Sequence, residues 1–151
     1  MTDLERHCHD LQTVWDEHFP MVRAMGVKLG RYHNQALTTH TPLTGNTNVH
    51  GTAFAGSLYA IQALTAWGLL YLELATSGLD ASIVHASGNV EFAEPVKGEI
   101  VATSSLGEHT GAMTELAQTG RIRLELTAEV IADDRVASRF RGDYVVRLAA
   151  E

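Results

Sequence analysis

The sequence predicts an α+β protein in which a curved antiparallel β-sheet wraps around one long central helix. Three observations lead to this fold class. The segment Thr52–Leu72 runs 21 residues without a charged side chain, and a helix that is apolar on every face must be buried. A Thr-rich hairpin precedes the segment, and four segments of alternating apolar and polar residues follow it, which is typical of antiparallel strands. A sheet curled around the helix buries both apolar surfaces at once.

The composition excludes several classes of function. With 151 residues, 45% of them hydrophobic and 19% charged, we expect one globular domain over residues 1–151. The net charge of -7 leaves no basic excess with which to bind nucleic acid. Cys8 is the only cysteine, so no intramolecular disulfide is possible, and the polar N-terminal segment lacks the apolar core of a signal peptide. We therefore expect a cytoplasmic protein.

The first predicted elements are a short helix and a hairpin. Apolar residues at helical spacing predict a helix over about residues 3–18, with Thr2 or Asp3 as its N-cap, that ends before Phe19-Pro20. Residues 25–30 alternate like a strand, Asn34-Gln35 is the predicted turn, and residues 36–43 form the returning strand.

The uncharged segment is the predicted central helix, ending at Thr76-Ser77-Gly78 with Gly78 as a C-terminal cap. Its length also admits a membrane span. We favour a helix buried in protein, because no Lys or Arg flanks the segment and Gln62 lies within it.

Four strands are predicted after the helix, over residues 83–92, 100–106, 120–131 and 136–146. The inward residues of the last two strands are even-numbered, with Val136 among them, so residues that face each other must have numbers with an even sum. This excludes a two-residue turn at Asp133-Asp134 and favours a loop over residues 132–134. Glu125 then faces Arg141, and Arg123 faces Asp143.

One sheet and one helix leave an edge uncovered, so we expect a homodimer or a dimer of dimers.

Two motifs carry a resemblance to a known family. His50-Gly51-Thr52-Ala53-Phe54-Ala55-Gly56-Ser57-Leu58-Tyr59 and Ala66-Trp67 form the first, and residues 89–99, which run into the turn Pro95-Val96-Lys97-Gly98, form the second. The chain resembles the hotdog-fold thioesterases over about residues 25–146. In particular it resembles the thioesterase-like domain found at the C-terminal end of some bacterial N-acetyltransferases, where Gly-Thr-x-Phe-x-Gly-Ser opens the central helix.

The resemblance implies hydrolysis of an acyl thioester, either acyl-CoA or acyl carrier protein, at a site shared between two subunits. Backbone N–H groups near Gly51 and Thr52 would stabilise the oxyanion at the start of the helix. Substrate contacts are expected from the motif residues Gly51, Thr52, Phe54, Gly56 and Ser57. Many hotdog thioesterases carry a catalytic carboxylate about two turns into this helix, where this chain has Tyr59, and no Asp or Glu occurs in the helix before Glu73.

Each candidate catalytic residue has a second interpretation. His50 is the candidate general base, since histidine titrates near neutrality, or it caps the helix or pairs with Asn46 or Asn48. The two asparagines position water or the carbonyl, or they form a turn. Ser57 donates a hydrogen bond to the thioester, or it bonds the carbonyl four residues earlier. Tyr59 is catalytic, or it belongs to the core or an interface.

The sequence contains two further clusters of polar side chains. Alternation places His85, Ser87, Asn89 and Glu91 on one face of their strand, which lines a substrate pocket or dimer seam, or is simply solvated. His7-Cys8-His9-Asp10 resembles a metal cluster, but residues one and two apart on a helix do not converge. We therefore expect no metal site and no cofactor.

The resulting hypothesis is a thioesterase that acts on a fatty acyl-CoA or a related acyl thioester by direct attack of water, with His50 as the base. The alternatives are a non-catalytic acyl-CoA binding protein and a hotdog-type dehydratase, whose His and acid pair is missing. The acidic chain repels acidic carrier proteins, which favours acyl-CoA. Its phosphates would contact some of the basic residues Lys28, Arg31, Lys97, Arg121 and Arg123.

Overall fold

A computed structural model of the protein describes residues 1–150. The four helices are α1 (Asp3–His18), α2 (Pro20–Met25), α3 (Ala55–Thr76) and α4 (Ala112–Thr119). The six strands are β1 (Lys28–His33), β2 (Ala36–Thr41), β3 (Ala81–Phe92), β4 (Ile100–Ser105), β5 (Arg121–Ala132) and β6 (Arg135–Leu148). The strands form one antiparallel sheet in the order β1-β2-β4-β5-β6-β3. The sheet curves around α3, which contacts five of its strands, and the predicted hotdog fold is confirmed.

The two N-terminal helices pack along α3. Thr2 caps α1 as predicted, because its hydroxyl accepts the Glu5 N–H at 3.1 Å while the Glu5 carboxylate accepts the Thr2 N–H. The prediction that the first strand begins at residue 25 is wrong. Pro20, whose fixed φ suits the first turn of a helix, opens α2, which ends at Gly26 with φ of 79°. The strand β1 therefore begins only at Lys28.

The central helix begins later than predicted, at Ala55, because Thr52 and Ala53 belong to the preceding loop. Its end agrees with the prediction. Gly78 has φ of 67°, and the Leu79 N–H bonds to the Leu74 carbonyl at 3.0 Å. By length and composition α3 is able to cross a membrane, but 61% of its most apolar stretch is buried inside this structure, as in the core helix of a soluble protein.

A short helix, α4, was missed between the second and third predicted strands. It follows a 3₁₀ turn at Gly107–His109, buries Met113 and Leu116, and ends at Gly120 with φ of 79°. The only sequence signal was the three-residue spacing of those two side chains, which is too short to distinguish a helix from a loop.

The predicted register of the last hairpin is wrong. Asp133 and Asp134 form a two-residue turn with φ of 51° and 59°, and Ala132 faces Arg135. A β-bulge accounts for the difference, because the register shifts between Ile131 and Val130 so that Val130 faces Ser138. The extra residue restores the even sum and leaves Val136 only half-buried.

As a result, each predicted partner moves by two residues. Asp143 faces Glu125, and Arg141 faces Thr127. Arg123 and Asp143 still form an ion pair at 3.2 Å, but diagonally. The pKa of Asp143 is lowered, first by the hydrogen bond from Ser87 and then by the bond from Arg123.

A second bulge divides the polar face predicted on β3. The register shifts between His85 and Ser87, so these two residues point to opposite sides of the sheet. His85 lies on the inner side opposite Tyr144, whereas Ser87 donates to Asp143 at 2.9 Å on the outer side, which Asn89 and Glu91 share. The prediction that all four residues share one face is therefore wrong, and Ser87 and Asn89 do not face α3.

Candidate active site

The loop before α3 is organised by Asn48. Its side-chain oxygen accepts the N–H groups of His50 at 2.9 Å and Thr52 at 3.2 Å, and its amide donates to the Thr52 hydroxyl at 2.8 Å. Gly51, with φ of 76°, allows the chain to reverse there. These bonds are the turn chemistry proposed as the alternative role of Asn48.

The two sequence motifs meet at the start of the helix. The Ala53 N–H bonds to the carbonyl of Val96, in the Pro-x-x-Gly turn, at 2.8 Å. The next N–H, that of Phe54, bonds to the Asn46 carbonyl at 2.7 Å. Because Val96 is itself buried, the turn fixes the position from which α3 starts.

The N–H groups of Gly51 and Thr52, the expected oxyanion donors, are already occupied by the Asn48 carbonyl at 3.1 Å and the Asn48 side chain. That expectation is wrong. At the start of α3, the N–H groups of Ala55, Gly56 and Ser57 have no partner among residues 1–150. In contrast to α1, this helix has no side-chain cap, and its first turn has no acidic residue.

A cavity of about 350 Å³ adjoins this helix end. Met21, Ala24 and Met25 of α2 form one wall, and Gly56, Ser57 and Ala60 of α3 form another. Phe54, Gly45 and Asn46 complete it. The Phe54 ring lies so close to Gly56 that a Cβ atom there would be 2.4 Å from a ring carbon, so a side chain at residue 56 would force the ring to move.

The Ser57 hydroxyl is free to contact a ligand. Ser57 is 8% exposed and lines the cavity. The alternative bond to the carbonyl four residues earlier does not form; the Ala53 carbonyl instead lies 3.4 Å from the Asn48 amide. No hydrogen-bond partner for this hydroxyl occurs within the part of the chain that the structure describes. Ser57 therefore adds a side-chain donor beside the three free N–H groups.

Asn46 has both a structural and a free polar group. Its amide donates to the carbonyls of Met25 and Pro42, each at 2.9 Å, and so ties α2 to the loop. These bonds fix the orientation of the side chain, whose oxygen is buried and has no partner among residues 1–150. An unpaired buried acceptor is costly unless a ligand or water reaches it.

His50 is exposed and does not line the cavity. Its imidazole makes no hydrogen bond within residues 1–150, so pairing through its side chain with Asn46 or Asn48 is not observed. Only its backbone N–H is used, in the Asn48 turn.

Tyr59 lies on a different side of α3 from Ser57, because two residues correspond to about 200° of helix rotation. Its hydroxyl is 3.4 Å from Nε2 of His85, and its ring packs edge-on against Phe140. A Cβ atom on Gly88 would lie 2.3 Å from that hydroxyl. The structure thus brings Tyr59 and His85 together, and neither residue lines the cavity.

Two buried ionisable residues, Tyr144 and Glu73, make hydrogen bonds along α3 and do not line the cavity. Tyr144 donates from its hydroxyl to the Ala63 carbonyl at 2.7 Å, and burial, with Tyr59 as a further cause, raises the pKa of Tyr144 far above its usual value. Glu73 lies near the other end of α3, where it accepts from Tyr32 at 2.7 Å. Burial, followed by this bond, raises the pKa of Tyr32. None of the residues that line the cavity is ionisable.

The curved antiparallel sheet wrapped around α3 defines a protein of the hotdog fold. The family described as "Putative thioesterase (yiiD_Cterm)" matches residues 8–148, and the chain belongs to this family. The family relationship agrees with the resemblance found in the sequence.

Solved structures support the same conclusion. A protein from Shewanella oneidensis described as a "putative thioesterase" has 25% sequence identity and a TM-score of 0.87, with 93% of this chain and 97% of that chain covered. A Chlorobaculum tepidum protein of unknown function has the same identity and TM-score, with 95% of each chain covered. A Pseudomonas aeruginosa protein described as a probable thioesterase, at 19% identity and a TM-score of 0.79, covers 93% of this chain and 95% of its own, and shows the fold alone.

Proposed function

We propose that the protein hydrolyses a fatty acyl-CoA or a related acyl thioester whose carbonyl binds at the N-terminal turn of α3. The observation that carries the proposal is the set of unpaired N–H groups of Ala55, Gly56 and Ser57 beside an apolar cavity. A helix N-terminus favours negative charge, and the tetrahedral intermediate of thioester hydrolysis places a negative charge on this oxygen. Membership of the thioesterase family supports the same reaction.

In the proposed reaction, water attacks the carbonyl carbon and a C–O bond forms. The carbonyl oxygen becomes an oxyanion that is held by the N–H groups and the Ser57 hydroxyl. Collapse of the intermediate breaks the C–S bond and releases the carboxylic acid and a thiolate, which takes up the proton that the attacking water has lost. The buried oxygen of Asn46 accepts a hydrogen bond from the attacking water. His50 remains the candidate base, and from its exposed loop it acts at a site completed by a second subunit. No residue needs to form an acyl intermediate.

A second subunit is part of the proposal. The strand β3 is at one end of the sheet, and none of its 12 residues is buried. Val84 is 55% exposed and Phe92 is 49% exposed on this edge strand. An open groove of about 510 Å³ lies next to this edge strand, and it is lined by Trp67 and Tyr71 of α3 and by the first residues of β3. Antiparallel pairing of two β3 strands would cover the edge and both grooves.

A non-catalytic acyl-CoA binding protein is the second candidate, because none of the cavity residues is ionisable. A turnover assay with a thiol reagent distinguishes the two. An acyl-CoA that binds in equilibrium dialysis but is not hydrolysed supports the binding protein and contradicts the thioesterase.

The test of the site is Ser57→Ala. We expect kcat/KM for acyl-CoA to fall about 10²-fold, the usual effect of losing one oxyanion donor. Ser77→Ala, at the exposed C-terminal end of the same helix, is the matched control and should retain wild-type activity. If both variants have wild-type activity, the Ser57 hydroxyl does not contact the oxyanion. An acyl adduct on the protein in mass spectrometry would also contradict direct attack by water.

A further inference from the structure

The cavity at the start of α3 is polar at only one end. Its free donors come from Gly56 and Ser57, whereas Met21, Ala24, Met25, and Ala60 line the region between α2 and α3. An apolar pocket with a few polar groups at one end is the usual form of a small-molecule site. The helix α2 is therefore in a position to contact whatever is attached to the carbonyl carbon.

We propose that the acyl chain lies between α2 and α3 and that Met21, Ala24, Met25 and Ala60 determine which chain lengths are accepted. This inference rests on the proposed function, since the carbonyl at the helix start orients the chain into the cavity. None of the residues lining the cavity is charged, so the preferred acyl group is an unsubstituted hydrocarbon and not a dicarboxylic chain, whose second carboxylate would lose its hydration there.

The volume sets an approximate limit on the chain. A cavity of about 350 Å³ holds on the order of ten non-hydrogen atoms if each takes up about 30 Å³, the volume of a water molecule in the liquid. This corresponds to a medium-length acyl group. The small side chains of Ala24 and Ala60 leave that space open, while methionine side chains adapt their shape to a flexible ligand.

Ala60→Leu tests the assignment by filling the cavity. The ratio of kcat/KM for octanoyl-CoA to that for acetyl-CoA should fall at least tenfold, because a misplaced methylene group in an apolar pocket costs about 10–200-fold. Met21→Ala should increase the ratio of dodecanoyl-CoA to octanoyl-CoA. Ala117→Leu, on the exposed side of α4, adds the same atoms elsewhere and should leave both ratios at the wild-type value. An unchanged octanoyl-to-acetyl ratio in Ala60→Leu, with a wild-type unfolding midpoint, would overturn the inference.

Binding separates this inference from the proposed function. The Kd values for acetyl-CoA and octanoyl-CoA are measured together with turnover, both for the wild type and for the Ala60→Leu variant. If the wild type binds octanoyl-CoA without hydrolysing it and Ala60→Leu weakens that binding at least tenfold, the thioesterase function is wrong and the acyl site stands. If Ala60→Leu leaves both Kd values unchanged, the acyl site is wrong whatever the turnover.

Discussion

At the scale of single residues, Ser57 and Tyr59 illustrate how two neighbouring side chains on α3 serve different surroundings. Ser57 faces the cavity and has no partner within residues 1–150, whereas Tyr59 packs against Phe140 and approaches His85. Gly88 provides the space for the Tyr59 hydroxyl. Tyr59 is therefore part of the packing between α3 and the sheet, whereas Ser57 is available to a ligand.

His50→Ala tests the base directly. If His50 takes the proton from the attacking water, kcat should fall by about 10²–10³ with the fold unchanged. His9→Ala, which removes an exposed histidine from α1, should keep the wild-type kcat. Full turnover in His50→Ala would show that another group accepts the proton, and His85 with Tyr59 would be the next pair to change.

The sequence predicted those residue roles that depend on near neighbours in the chain. The Thr2 cap and the left-handed Gly78 are of this kind, because each is defined by bonds within a few residues. The oxyanion donors differ from the prediction although the bonds that occupy Gly51 and Thr52 are also local, because Asn48 has two possible roles in the sequence and only the structure shows that it forms the turn. The bond from Ala53 to Val96, 43 residues later in the chain, is one that no local pattern records.

At the scale of elements, the turn between β5 and β6 holds two non-glycine residues in the left-handed region. Asp134 has φ of 59° in a two-residue turn, where glycine is preferred at the second position. Asp134→Gly should raise the free energy of unfolding by about 0.5 kcal/mol, since relief of the left-handed strain exceeds the added entropy of the unfolded chain. Asp134→Ala should lower it. Thermal unfolding at equal protein concentration measures both, and a lower midpoint for Asp134→Gly would contradict the prediction.

Alternation identified the strands but not their bulges. Strands β5 and β6 were predicted within two residues of their ends, because their apolar residues follow a strict period of two. A bulge adds one residue without breaking that period visibly, so both the hairpin register and the inward face of β3 were wrong beyond it. Helices α2 and α4, of six and eight residues, are too short to show a period of their own.

At the scale of the whole molecule, the predicted wrapping of the sheet around α3 is confirmed, since a long apolar helix and a one-sided sheet have few other ways to bury each other. The assembly remains a prediction. The double variant Val84→Lys with Phe92→Lys should convert a dimer into a monomer in light scattering, because it places charge on the edge strand. Ile131→Lys, which changes an exposed apolar residue on β5, should stay dimeric. A wild-type monomer at micromolar concentration would exclude the shared site.

The open start of α3 also links occupancy of the site to the stability of the protein. A long helix is normally preceded by a residue whose side chain accepts hydrogen bonds from the N–H groups of the first turn. The helix α3, with 22 residues, has no such side chain, and the substrate or product would accept these bonds instead. Each bound molecule would then act as a removable cap, adding about 2.7 kcal/mol to the folded state at a hundredfold excess over its Kd. The empty protein would fray at Ala55–Ser57, and its amide protons there would exchange with solvent faster than those deeper in the helix. Turnover would repeatedly tighten and release the end of the element around which the whole sheet is wrapped.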